Sequence, residues 1–133
     1  MVVFLVGTFF ILHGLVHLLY AGQSRRLFEL QPGMTWPDGS WAFARHLGEG
    51  GTRSAAGIAL AVAAICFVVT GIVVYFKQPW WGTVAVIASI ISSVTFLLFW
   101  DGQFSQLPNK GAIGVLINIA ILVLALVIKW PKF

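Results

Sequence analysis

Four apolar runs dominate the chain: Val2–Tyr20, Ser54–Phe76, Trp81–Trp100 and Gly111–Lys129. Each is close to the roughly 20 residues at which a helix rising 1.5 Å per residue crosses about 30 Å of hydrocarbon. Strand-type alternation of apolar and polar positions is absent, which argues against a membrane barrel. The connection Lys77–Trp80 reads as a tight turn on Gln78-Pro79, and Asp101–Lys110 as a polar hairpin containing Gly102 and Pro108. Short connections make sequence neighbours antiparallel. The pattern therefore predicts an all-α fold, a four-transmembrane-helix up-down bundle forming one integral membrane domain over 1–133.

The one long polar interruption is Ala21–Arg53. Gln23–Leu30 is expected to carry the first helix past the bilayer surface until Pro32-Gly33 ends it. Asp38 or Ser40 then N-caps a short helix, Trp41–Leu47, closed by Gly48, Gly50 and Gly51. Trp41, Phe43 and Leu47 beside Arg45 and His46 suit a helix lying in the membrane interface. This segment is expected to form a lid over one end of the bundle.

Composition sharpens the class. Hydrophobic residues make up 59% and charged residues 9%, against about a quarter charged in a soluble domain. A disordered chain, a secreted disulfide scaffold and an ordinary soluble domain are thereby excluded. The eight basic residues behind the net charge of +4 sit at the ends of the apolar runs. A phosphate-binding surface needs them clustered on one face, so no nucleic-acid partner is expected.

The expected partner is the lipid bilayer. The chain termini and the Lys77–Trp80 turn share side A, with Lys77, Lys129 and Lys132. Side B carries Arg25, Arg26, Arg45, Arg53 and Lys110, and this excess of five over three favours side B in the cytoplasm. The first run lacks a basic leader and is read as a retained anchor rather than a cleaved signal. The single cysteine, Cys66, lies inside a run and serves as a small hydrophobe.

Polar groups within spans are costly and therefore informative. His13 and His17 lie one helical turn apart in the first run, Ser89, Ser92 and Ser93 in the third, and Asn118 in the fourth. Counting along each helix puts His13, Ser93 and Asn118 all about 10 Å inside the side-B boundary. Antiparallel packing then permits a polar layer of these three, with His17 above it and Asp101, His46 and the lid at its mouth.

Two readings of the pair stand side by side. Imidazoles at i and i+4 can chelate a metal, but they supply two ligands where catalytic zinc takes three. Haem held by two histidines needs them on facing helices, and no other run contains one. The other reading, favoured here, is neutral histidines hydrogen-bonded to Ser, Asn or backbone across the bundle. No metal site is assigned, and the cofactor is left unknown. Asp101 at a helix C-terminus calls for a cationic partner, which Arg25, Arg45, Arg53, Lys110 or a protonated histidine could supply, and an interfacial Asp-Gly turn paired with Lys110 is favoured over catalysis.

Several segments carry a resemblance. The run His13-Gly14-Leu15-Val16-His17-Leu18-Leu19-Tyr20, with Gln78-Pro79-Trp80-Trp81, Trp100-Asp101-Gly102 and Gly111-Ala112-Ile113-Gly114 followed by Ile117-Asn118, resembles small four-helix bacterial membrane proteins without an assigned activity. The likeness implies a multi-pass protein of the bacterial inner membrane. A looser similarity to DoxX-like four-helix proteins rests on the His-Gly element and implies a link to membrane redox systems.

No Walker loop, HExxH, CxxC, nucleophile elbow or dinucleotide fingerprint is present. The expected role is a non-enzymatic accessory, assembly or binding subunit, in contact with other membrane protein chains or with copies of itself. The alternative is a bundle binding a lipid, quinone or cofactor, possibly a redox-linked enzyme. Its binding residues would be His13, His17, Ser93, Asn118, Asp101 and His46.

Overall fold

The computed structural model describes residues 1–104 and 107–132, and the Ser105-Gln106 portion of the hairpin expected over Asp101–Lys110 lies outside the described residues. Among them the chain is helical, without strands. The helices are α1 (Val2–Ser24), α2 (Ala44–Tyr75), α3 (Trp81–Leu98) and α4 (Ala112–Leu122), the last running into a π-helical segment, Val123–Ile128. A 3₁₀ turn, Leu107–Lys110, precedes α4. Three helices, α1 to α3, are long and apolar enough to cross a membrane, and the fourth apolar stretch, Ala112–Ile128, is shorter.

Helix ends explain where the elements differ from the sequence pattern. α1 stops at Ser24 rather than continuing to Leu30, because Arg26 adopts the left-handed conformation at φ 58°. The Arg26 N–H then donates to the Gln23 carbonyl and the Leu27 N–H to the Gly22 carbonyl, which is the Schellman closure. α2 ends in the same way. Lys77 at φ 54° donates to Val74 and Gln78 donates to Val73, with Pro79 following. The helix expected over Trp41–Leu47 is reduced to one turn, Ala44–Leu47, joined to α2 across Gly48 at φ 69°. Gly50 and Gly51, expected to end a helix, lie inside α2. Each glycine costs a helix interior about 1 kcal/mol, too little for this pair to stop a helix of such length.

α1 and α2 run in opposite directions in close contact. A Cβ at Gly71 would fall 2.6 Å from the Gly7 carbonyl oxygen, and one at Gly14 would fall 2.8 Å from the Ala64 carbonyl oxygen. Only glycine permits this approach, and it replaces side-chain interdigitation with backbone contact. Near the same end Thr8 Oγ1 and the Tyr75 hydroxyl share a 2.5 Å hydrogen bond. α3 packs on α2, and α4 on α3.

Two apolar clusters fill the interior. One joins Phe10 of α1, Phe67, Val73 and Val74 of α2, Trp81, Ala85 and Ala88 of α3, and Ile121 of α4. The other joins Ala56 and Leu60 of α2, Phe96 of α3 with Phe99 just beyond it, and Met34 and Trp36 of the 25–43 connection. The remaining outer surface of the helices exposes large apolar side chains, among them Phe4, Leu12, Leu19, Ile58, Ile65, Leu97, Leu116 and Leu126.

The 25–43 connection is tied down by polar side chains. Gln23, fully buried, donates to the carbonyls of Met34 and Trp36 at 3.2 Å each and accepts from the Leu30 N–H at 2.7 Å. Asp38 does not cap a helix. It pairs with Arg26 at 2.6 Å and with Arg53 through two bonds of 2.8 and 2.7 Å. Farther along, Ser40 Oγ donates to the Leu98 carbonyl, Trp41 Nε1 to Leu97 and Trp41 N–H to Trp100. The Leu97 and Leu98 carbonyls are ones that the C-terminus of α3 leaves without helical partners. Trp36, 1% exposed, is wedged between Tyr20 and Phe96.

Candidate functional site

Between the two apolar clusters lies a polar layer. On α1 it occupies His13 and His17, between Phe10 and Tyr20; on α3, Ser92 and Ser93, between Ala88 and Phe96; on α4, Asn118, between Gly114 and Ile121. His17 Nδ1–H donates to the His13 carbonyl at 2.8 Å. That bond makes Nε2 of a neutral ring an acceptor, and Ser92 Oγ–H donates to it at 2.6 Å. Asn118 Nδ2–H₂ donates to Ser92 Oγ at 2.8 Å and to Ser93 Oγ at 3.1 Å. Its Oδ1 accepts from His13 Nε2–H at 3.0 Å.

The bonds close a ring. From His13 the path runs to Asn118, to Ser92, to His17 and back to the His13 carbonyl, a pattern that two neutral imidazoles protonated on different nitrogens satisfy. α1, α3 and α4 are joined by side chains alone at this level. His17, Ser92 and Asn118 are buried to 1% exposure or less. α2 adds no polar group to the ring; Phe67 closes it, with its ring centroid 4.5 Å from that of His13 and 5.1 Å from that of His17. His17 also meets Phe96 at 5.7 Å.

Four of the six residues expected in a polar pocket are therefore brought together: His13, His17, Ser93 and Asn118. Asp101 and His46 are not part of the layer. Asp101 Oδ2 pairs with Lys110 Nζ at 2.8 Å, the lysine side chain being 4% exposed, and its Oδ1 accepts from the Gln103 N–H. His46 is exposed on the single turn before Gly48. Ser92 is the member that the depth argument left out in favour of its neighbour. The serines are adjacent in sequence, and only the rotation of α3 decides which one meets His17.

Chemically the layer is occupied with itself. The two imidazoles stand edge to face, 89° between planes, with centroids 4.9 Å apart. Among the described residues no three His, Cys, Asp or Glu side chains converge as metal ligands. Two buried polar atoms among them lack partners: Ser89 Oγ, one turn from Ser92, and Trp36 Nε1 beneath the connection.

A second polar group, the Arg26–Asp38–Arg53 clasp, was missed by the sequence reading, which gave Asp38 a capping role. Burial alone would push the Asp38 carboxyl up. The Arg53 hydrogen bonds and the Arg26 and Arg53 charges outweigh it and hold the carboxyl below its ordinary value of 3.8. The available signal was an acid flanked at a distance by four arginines, Arg25, Arg26, Arg45 and Arg53, in one polar segment. Nothing local showed which of them it meets.

An apolar groove of about 290 Å³ opens between α1, α3, α4 and the π-helical segment, lined by Leu5, Val6, Phe9, Phe10, Trp81, Ile121, Leu124, Trp130 and Pro131. It lies toward side A from the His13–Asn118 bond. Comparison with protein-family models, curated proteins and solved structures returns no match to this chain.

Proposed function

We propose that this chain is a multi-pass integral membrane protein, an up-down bundle of four spans with the 21–53 segment at the interface, and that it serves as a non-enzymatic accessory or assembly subunit of a membrane complex. The closed hydrogen-bond ring carries this reading. Intramembrane polar groups that serve a substrate present donors or acceptors to it. Here His13, His17, Ser92 and Asn118 use theirs on one another. The ring acts as a clasp that sets the rotation of α1, α3 and α4, while the large apolar side chains outside are left for lipid and for neighbouring chains. The excess of arginine near the 21–53 segment favours that side in the cytoplasm, and the likeness to small four-helix bacterial proteins suggests the inner membrane.

A quinone, haem or other cofactor at the layer would have to displace at least one bond of the ring. The likeness to DoxX-like proteins keeps that alternative in the test. Native mass spectrometry of the protein, gently extracted from its own membrane, separates the two. The expected result is co-purified polypeptides and no small molecule whose retention depends on His13 or His17. A monodisperse, partner-free protein at native expression would contradict the accessory role. A cofactor mass lost in His13→Leu would replace it with the binding role.

A further inference from the structure

Charge is divided unevenly between the two ends of the molecule. All four acidic residues, Glu29, Asp38, Glu49 and Asp101, lie at the end that carries the 25–43 connection. There Arg26, Arg53 and Lys110 are held in ion pairs. The opposite end, side A, has Lys77 after α2 and Lys129 and Lys132 after the π-helical segment, all exposed. None of the three meets a carboxylate side chain among the described residues.

These lysines stand at the mouth of the apolar groove. A depression holding Lys129 and Lys132 shares Trp81 and Pro131 with it, and another holding Lys77 and Lys132 shares Trp130 and Pro131. One continuous surface therefore runs from Phe9, Ile121 and Leu124 past an aromatic rim to three exposed cations. The groove exists because α1 and α4 are tied by His13 and Asn118 but have little backbone contact elsewhere, which leaves Trp81 of α3 as its floor.

We propose that this surface is a binding site for an anionic phospholipid, its acyl chain along Leu5, Phe9 and Leu124 and its phosphate among Lys77, Lys129 and Lys132. The site rests on the membrane reading above. An apolar trough calls for a hydrocarbon chain, which a free phosphate lacks. Exposed lysines at the headgroup level attract net negative charge, and a zwitterionic headgroup brings its own cation to the same place. Trp81 and Trp130 sit where indoles favour the membrane–water interface.

The test reconstitutes the full chain in phosphatidylcholine vesicles containing phosphatidylglycerol, then extracts it and counts retained lipids by native mass spectrometry. The wild type is expected to retain phosphatidylglycerol in preference to phosphatidylcholine. Replacing Lys77, Lys129 and Lys132 together by Gln is expected to lower that preference by at least about tenfold, at about 1 kcal/mol per lysine removed. Replacing Arg25 and Arg45, both exposed at the other end, by Gln is expected to leave it unchanged. An undiminished preference in the lysine variant, or an equal loss in the arginine variant, would overturn the site. Displacement of phosphatidylglycerol by inorganic phosphate at equal concentration would overturn the lipid assignment. Failure of the chain to float with the vesicles would instead sink the membrane reading, and this site with it.

Discussion

Replacing Asn118 by Leu removes the hub of the polar layer while keeping a side chain of similar size. Three hydrogen bonds are lost, at 3.0 Å to His13, 2.8 Å to Ser92 and 3.1 Å to Ser93. Interhelical bonds within membranes average about 0.6 kcal/mol and reach about 1.7, so three amount to about 2 kcal/mol. The variant also strands the His13 N–H in an apolar layer, which adds about 1 kcal/mol. The expected loss is therefore about 2–3 kcal/mol. Removing both ends of the bond, in a His13→Leu/Asn118→Leu double variant, is expected to cost less than the sum of the single changes, with a coupling of about 1 kcal/mol. Reversible unfolding in mixed micelles, titrated with a denaturing detergent and followed by helicity, reads these values. An Asn118→Leu protein that unfolds at the wild-type midpoint, or single changes that add without coupling, would refute the clasp.

Other predictions follow from the same contacts. Asp38→Asn removes the charge between Arg26 and Arg53 and is expected to cost about 1–2 kcal/mol, with faster proteolysis of the 25–43 connection as the readout. Because the folded state lowers the Asp38 pKa, its contribution is complete above the ordinary value of 3.8 and is lost as pH falls through the lower folded value. An acid unfolding curve should show this loss in the wild type and not in Asp38→Asn. Gly71→Leu places side-chain atoms where a Cβ alone meets the Gly7 carbonyl at 2.6 Å, and it should cost about 2 kcal/mol or more in the unfolding titration. Gly82→Ala, in open space on α3, should be neutral or raise stability by up to about 1 kcal/mol. Asp101→Asn leaves Lys110 nearly buried without its counter-charge and should cost about 2 kcal/mol, relieved by adding Lys110→Met.

The apolar runs marked the four helices, to within a few residues except at the start of α2, which begins at Ala44, ten residues before Ser54; burying or lipid-exposing so many large side chains leaves the backbone no alternative to internal hydrogen bonding. Depth was legible too. A fixed rise per residue brings His13, Ser93 and Asn118 to one level whatever the helix rotations. Rotation itself was not legible, and so Ser92 rather than Ser93 meets His17. The end of α1 was hidden because Arg26, not a glycine, takes the left-handed position, and the residues that follow, Leu27 to Leu30, are acceptable helix formers. Gly48, at φ 69°, breaks the helix while Gly50 and Gly51 do not, and composition alone does not distinguish the three. The role of Gln23 depends on carbonyls 11 and 13 residues away. Periodicity carries no information about such contacts.

The central claim is that the histidine layer is a self-satisfied clasp. Nitrogen-15 NMR of the imidazoles, recorded on protein in its native lipids, tests it most directly. The account predicts two neutral rings, His17 protonated at Nδ1 and His13 at Nε2, with His13 shifting when Asn118 is replaced. Two charged rings, or ring nitrogens with the shifts of metal or cofactor ligands, would contradict it.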